Sequence, residues 1–569
     1  MTGDDEDPDA TIIRGVARIA PAPMAAASTP ESTPAPAPPL LPPLREAVLR
    51  GAYFTSAHAE TAGRLASMIA GQTDTLRGWF GEEAAPALVR DPAALASMIA
   101  GETGTLRGWF GEEAAPALAR DPAALIALLA RDIAALDGMI SRQLDSILHH
   151  PRLRRLEGSW RGLAWLTARL NITGRVKLRI LNVSWAEICR DLERAAEFDQ
   201  SQLFRSIYED EFGIAGGEPY GLLVADHEVR HRPGPGALTD DVSALAALAS
   251  VAAAAFAPMV IGAAPALLGV DEFAELSGVA DPASAMSSAE YQRWKRLSTL
   301  EDARFIAVTL PRTLARLPWE ESLDRHRGFR YRETILSASD RVFSNAGYLV
   351  AACVIRAFEE YSWPADMRGY DIDRLGGGVI EDLPEPWFTT DPPGGLDRPA
   401  VELMLTDRQE RALVAAGLLP VSSLPFGGQA LIGAARSLQA PALRNAGPNA
   451  GAATANAQLS AQLNSMVCVS RFAHYVKVMG RDMVGSFRTG AEIQRVLQNW
   501  LSQFANANTS AGPETMARYP LRGAAVTVTE IPGKPGVFGC IVQLQPHFQL
   551  DDVTASFRLM TELSAPGKH

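Results

Sequence analysis

Five consecutive residues, His227-Glu228-Val229-Arg230-His231, have the spacing best suited to chemistry in this chain. Two histidines four apart share one helical face and can hold zinc, and a glutamate beside them can serve as general base. Gly234 extends the match. That chemistry needs a helix, and the neighbouring residues deny one. The motif directly follows the strand-like run at 221–226, and Arg232-Pro233-Gly234-Pro235-Gly236 ends any helix at once. Ala237 stands where the extended motif has its third histidine. The segment therefore reads as a solvated strand end and loop, with a zinc-dependent hydrolase using His227, Glu228 and His231 as the alternative function. His474 reads as a packed or surface residue of a long helix. The sequence has no G-x-x-x-x-G-K-[ST] phosphate loop, no G-x-G-x-x-G after a strand and no G-x-S-x-G elbow. Gly376-Gly377-Gly378 lacks the strand–helix setting of a phosphate site, and Glu381-Asp382 reads as surface charge. We assign no catalytic residue, no cofactor and no metal.

The elements that must position these residues belong to a long acidic chain. Its 569 residues correspond to three or four domains at about 150 residues each. With 53 basic and 65 acidic residues the net charge is −12, which excludes a generally basic nucleic-acid binder. The four cysteines, Cys189, Cys353, Cys468 and Cys540, lie far apart and form no Cys-x-x-Cys, a pattern that fits a reducing compartment. The N-terminal MTGDDEDPDA is acidic and does not resemble a secretory signal. Residues 242–270 carry no charge, but Pro258, Gly262, Pro265 and Gly269 interrupt them and acidic residues flank them. They read as a buried helix followed by a buried strand or loop, without membrane insertion.

Residues 1–44, rich in proline and alanine, read as a disordered or polyproline-like tail. Residues 45–130 read as helical and contain a tandem duplication. Residues 66–95 and 96–125 differ only at Gln72/Glu102, Asp74/Gly104 and Val89/Ala119. Each copy reads as one helical hairpin with Trp79-Phe80 or Trp109-Phe110 as its largest apolar content. Asp121-Pro122 reads as the cap and first residue of a helix over 122–148, with Ile126, Leu129, Ile133, Leu136, Ile140, Leu144 and Leu148 on one face. Strands are expected at 176–180, 221–226, 259–261 and 305–310, and Ser184 with Glu187 forms a capping box for a helix to about residue 196. Helices between these strands argue an α/β to α+β class, a mixed-sheet core with flanking helices over 131–445. A C-terminal helix-plus-β-hairpin domain is expected over 446–569. It has a long helix at 458–483 and strands at 521–530 and 537–545. In the first strand Ala524, Val526 and Val528 share a face; in the second, Phe538, Cys540, Val542 and Leu544 do. A two-stranded hairpin leaves two edges of unpaired backbone groups, which invite added strands.

Six collinear blocks resemble a known family. They are ILHHPRLRRLEGSWRGLAWL (147–166), FDQSQLFRSIYEDEFGIAGGEPYGLLVAD (198–226), ARFIAVTLPRTLARLPW (303–319), GGGVIEDLP (376–384), SRFAHYVKVMGRDMVGS (470–486) and LQPHFQLDDVTASFRLMTEL (544–563). They resemble the large subunit of the type VI secretion contractile sheath, the TssC/VipB/ImpC family. The duplicated hairpin and Pro/Ala tail resemble the second, divergent large-subunit paralogue that some secretion loci carry. The resemblance implies a structural, non-enzymatic protein in the bacterial cytoplasm, assembled on a membrane-anchored baseplate. It implies a heterodimer with the small sheath subunit (TssB/VipA type), neighbouring sheath subunits, and a hexameric inner-tube protein within the polymer. An AAA+ unfoldase would recycle the sheath mainly through the small subunit. In the family, extended arms of neighbouring subunits complete the C-terminal sheet. That makes Val526, Val528, Phe538, Val542 and Leu544 the residues expected at inter-subunit strand pairing. The histidine segment falls at a family strand end without metal.

Overall fold

The computed structural model describes residues 103–170, 174–212, 217–234, 237–320, 329, 331–370, 376–384, 400–424, 428–441, 450–483, 489–508, 511–531, 538–547 and 557–563. The proline-rich tail, the first copy of the duplication and the start of the second lie outside them. The chain forms two compact units, residues 1–136 and 137–569.

In the first unit, helix α1 (Thr103–Phe110) buries Leu106 and Phe110 with Ala115 and Leu125, and Trp109 packs on that cluster. The Trp109 indole N–H donates to Asp132 (3.1 Å). Helix α2 (Pro122–Leu148) starts where the sequence places it, with Asp121 accepting from the Ala124 amide (3.1 Å).

The second unit begins within α2 and continues into α3 (Pro151–Thr167), which has glycine at 158 and 162 on its buried face. A Cβ at Gly158 would lie 2.0 Å from the Phe343 carbonyl oxygen, and one at Gly162 would lie 2.5 Å from the Tyr348 ring. The helix thus rests directly on backbone. Helix α4 (Trp185–Arg194) carries the expected Ser184–Glu187 capping box.

The core is a parallel four-stranded sheet in the order β1 (Leu223–Val229), β2 (Met259–Ala263), β3 (Ile306–Leu310), β4 (Leu419–Pro420). Its two central strands are wholly buried, as a sheet covered on both faces requires. Met259, Ile261, Ile306, Val308 and Leu310 face one cluster with helix α5 (Asp241–Ala255). Val260 and Ala307 face the opposite cluster with α6 (Gly347–Tyr361). The period of two along each strand feeds two separate cores. The uncharged run at 242–270 is therefore α5 and β2, and no described helix is long and apolar enough to cross a membrane.

Two expectations need correction, and a third is met and extended. Residues 176–180 form no strand. Val176 and Leu178 are half-buried as the alternation implies, but Ile180 is exposed and no ladder partner lies alongside among the described residues. Instead Arg175 donates to the Glu359 carbonyl, and Lys177 and Arg179 pair with Glu218 and Glu211. Alternation reports one packed face; it does not report backbone pairing. The helix expected over 458–483 is two helices, α7 (Ala450–Ser460) and α8 (Leu463–Met483). The strand-like segment at 435–437 takes the helix bonds at the break: the Ser437 amide donates to the Ala461 carbonyl (2.9 Å), and the Leu463 amide donates to Ala435 (2.8 Å). The expected C-terminal hairpin is present as β5 (Leu521–Glu530) and β6 (Phe538–Pro546), and β7 (Phe557–Leu563) pairs antiparallel with the other side of β6, which becomes central in a three-stranded sheet. It packs on α8 and on α9 (Gly490–Ser502).

Candidate assembly interface

The histidine segment resolves into three separate environments. His227 and Glu228 lie within β1, which extends past the expected end through a bulge between Ala225 and Glu228. His227 leans against Trp185 (ring centroids 5.6 Å apart), and burial pushes its pKa below the ordinary value. Its carbonyl accepts from Asn345 (3.2 Å), which passes over Gly262, where a Cβ would lie 2.7 Å from the amide nitrogen. Glu228 takes both ends of the Arg312 guanidinium, with Nη2 to Oε2 at 2.8 Å. Arg312 also reaches the buried Glu402 (3.4 Å). His231 stacks on Tyr291 (3.9 Å), and burial lowers its pKa too. The spacing that puts two histidines on one side of a helix separates them on a strand and loop. Among the described residues no group of three or more potential ligands is placed to hold a metal. Nothing in this arrangement supports the hydrolase reading.

His474 is packed: it is buried on α8 and its Nε2 meets the Ala255 carbonyl (3.0 Å). A second buried ion cluster, absent from the sequence reading, joins two of the quoted blocks. Glu333 is paired bidentately with Arg316 (2.5 and 3.1 Å), accepts the Trp319 amide (2.9 Å) and meets His149 (3.1 Å). Burial alone would raise its pKa, but these partners hold it below the usual carboxylate value. Arg316 also donates to Glu157 of α3 (2.7 Å).

The C-terminal sheet gathers all five residues expected at the linking strands. Val526, Val542 and Leu544 are buried, and Val528 and Phe538 pack beside them, against Phe472, Val476, Ile493, Leu497 and Leu501. Their side chains face this chain's own helices, so only backbone groups remain for pairing. Val526 opposes Val542 in the β5–β6 register. The outer edge of β5 is occupied by side chains of α9. The Val526 amide donates to Gln498 Oε1 (2.9 Å) and the Val528 amide to Gln494 Oε1 (3.1 Å). Gln498 Nε2 donates to the Ala524 carbonyl (2.9 Å). The sequence reading missed both glutamines. Their signal is a polar pair at i and i+4, flanking the apolar Ile493, Leu497 and Leu501.

Comparison with known proteins decides the family. The model described as VipB, the EvpB/VC_A0108 tail sheath N-terminal domain, matches residues 130–439. Its companion, the tail sheath gpW/gp25-like domain, matches residues 452–563. The chain belongs to the VipB tail-sheath family. A relative, the "Type VI secretion system sheath protein TssC1" of Pseudomonas aeruginosa (strain PAO1), is 36% identical over 433 residues, covering 75% of this chain and 84% of that protein. A solved structure, the 6-fold symmetrised cryo-EM baseplate of the anti-feeding prophage, aligns with a TM-score of 0.31 and 12% identity. It covers 68% of this chain and 86% of its own, a likeness too distant to carry an argument. In this VipB-family chain the N-terminal match holds the parallel sheet, and the C-terminal match holds α8, α9 and the three-stranded sheet. The family is that of structural contractile sheath subunits of type VI secretion.

Proposed function

We propose that this chain is a non-enzymatic sheath large subunit that pairs with the small sheath subunit and polymerises through its C-terminal sheet. The sheath would enclose a hexameric inner-tube protein, and its contraction would drive effector injection. In this reading the polymer grows from a membrane-anchored baseplate in the bacterial cytoplasm, with an AAA+ unfoldase acting mainly on the small subunit. No nucleic acid, membrane insertion, cofactor or metal takes part. Residues 131–445 would form the core and 446–569 the linking domain, behind a tail at 1–44 and a helical region at 45–130. The observation that carries this is the outer edge of β5 from Ala524 to Val528, where side chains hold backbone groups that a neighbouring strand would pair; at Leu521 the edge is taken by the backbone at 504–506. Exposed Ile140 and Ile147 on α2, and Leu156 and Trp160 on α3, supply apolar surface for a protein partner.

The test uses two proline variants. Because the Val526 amide points outward, the alternation of an antiparallel ladder points the Val542 amide away from β5, toward β7. Val526→Pro therefore leaves the β5–β6 ladder whole and removes an edge donor, which edge strands tolerate. It should retain the soluble heterodimer and form no sheaths. Val542→Pro interrupts the central strand and should destabilise the domain itself. Sheaths of normal length from Val526→Pro would show that β5 is not the link.

A further inference from the structure

The β5 edge has the composition of a strand that pairs readily. From Gly523 to Thr529 it reads GAAVTVT, without charge or proline. Lysine, proline and tight bulges usually protect exposed edges. Here the only register shift lies at Leu521/Gly523, before the uncharged stretch begins. Two carboxamides from α9 stand in their place. Gln498 accepts from the Val526 amide and donates to the Ala524 carbonyl, the two bonds that a residue of an adjoining strand would make. Gln494 accepts from the Val528 amide. The geometry matches by period: residues four apart on a helix are about 6 Å apart, and residues two apart on a strand about 6.7 Å. Ile493, Leu497 and Leu501 are buried and hold α9 in place, while both glutamines are only half-buried. The cap is therefore anchored at its backbone and movable at its side chains.

We infer that Gln494 and Gln498 form a side-chain cap that closes the outer edge of β5 against a second copy of this chain. An incoming strand must turn both amides aside before it can pair. The identity of the strand that displaces the cap during assembly rests on the linking-sheet reading above; the closing of the edge does not.

The experiment uses the full chain co-purified with the small subunit. In Gln494→Ala/Gln498→Ala, self-association in sedimentation velocity should begin at about tenfold lower concentration than in wild type. In dilute solution the Val526 and Val528 amides should exchange with deuterium about tenfold faster, and association should protect them again. In Gln494→Glu the carboxylate still accepts from the Val528 amide, Gln498 keeps both its bonds and the added charge repels a second edge, so association should stay at the wild-type level. Wild-type association and exchange in the alanine variant would overturn the cap. So would equal association of the alanine and glutamate variants, which would indicate loosening of the domain. If the double alanine variant does not fold, Gln498→Ala alone must speed exchange at Val526 relative to Val528, and equal rates overturn the proposal. Normal sheaths from Val526→Pro would sink the linking-sheet reading and leave these outcomes for the cap unchanged.

Discussion

Glu228, Arg312 and Glu402 show how a catalytic-looking glutamate becomes part of an ion cluster. Glu228 neutralises a half-buried guanidinium, and Glu402 is left beside it with Oε2 unpartnered among the described residues. Burial pushes the Glu402 pKa up to about 7, reinforced by Glu228 and Glu272 and opposed by Arg312. The folded value lies above the unfolded one, so the native state holds the extra proton. The resulting stability is full below the unfolded value and is lost as pH rises through about 7. Glu402→Gln should remove that slope, so thermal melts at pH 5.5 and pH 8 should converge. A slope unchanged from wild type would assign it to another group. Glu228→Ala strips Arg312 of its bidentate partner and should cost about 2 kcal/mol in denaturant unfolding. His231→Phe keeps the stack on Tyr291 and should change stability little. Equal loss from both substitutions would contradict the separation of these environments.

Helix α3 shows a similar tension between local preference and packing. Alanine is a better helix former than glycine by about 1 kcal/mol, so Gly158→Ala ought to stabilise an isolated helix. In the fold, the added Cβ meets the Phe343 carbonyl oxygen. Gly158→Ala should therefore lower the midpoint of thermal unfolding by several degrees, in the direction opposite to its helix propensity. A raised midpoint would show that α3 sits farther from that backbone. The break between α7 and α8 follows the same principle. No glycine or proline marks Ala461 or Gln462, and the backbone at 435–437 bonds the Ala461 carbonyl and the Leu463 amide on either side of the break. A helix-period pattern reports which residues are buried, so it ran across the break without a sign of it.

At the scale of the whole molecule, Ile140 and Ile147 lie two turns apart on α2, each about half exposed. Apolar surface at that spacing suits a partner helix. Ile140→Asp/Ile147→Asp should leave the melting temperature near wild type and abolish co-purification with the small subunit. Retention of the small subunit by this variant would place the pairing surface elsewhere.

The α/β core was legible because the buried parallel strands and α5, uncharged after Asp241, leave continuous apolar runs. The Asp121 and Ser184 caps were legible because their hydrogen bonds are local. The buried face of the C-terminal strands was legible from strict alternation. The quoted blocks carried the family, since long collinear matches constrain far more than one short motif. What only the tertiary structure decided depends on residues far apart in sequence. It placed His227 and His231 in different surroundings, paired Arg316 with Glu333 and Glu157, and left 176–180 outside the described strands. It added β7 beside β6 and set Gln494 and Gln498 against the edge of β5. Periodicity records the face a residue buries; the backbone or charge that faces it from elsewhere in the chain leaves no mark in the local pattern.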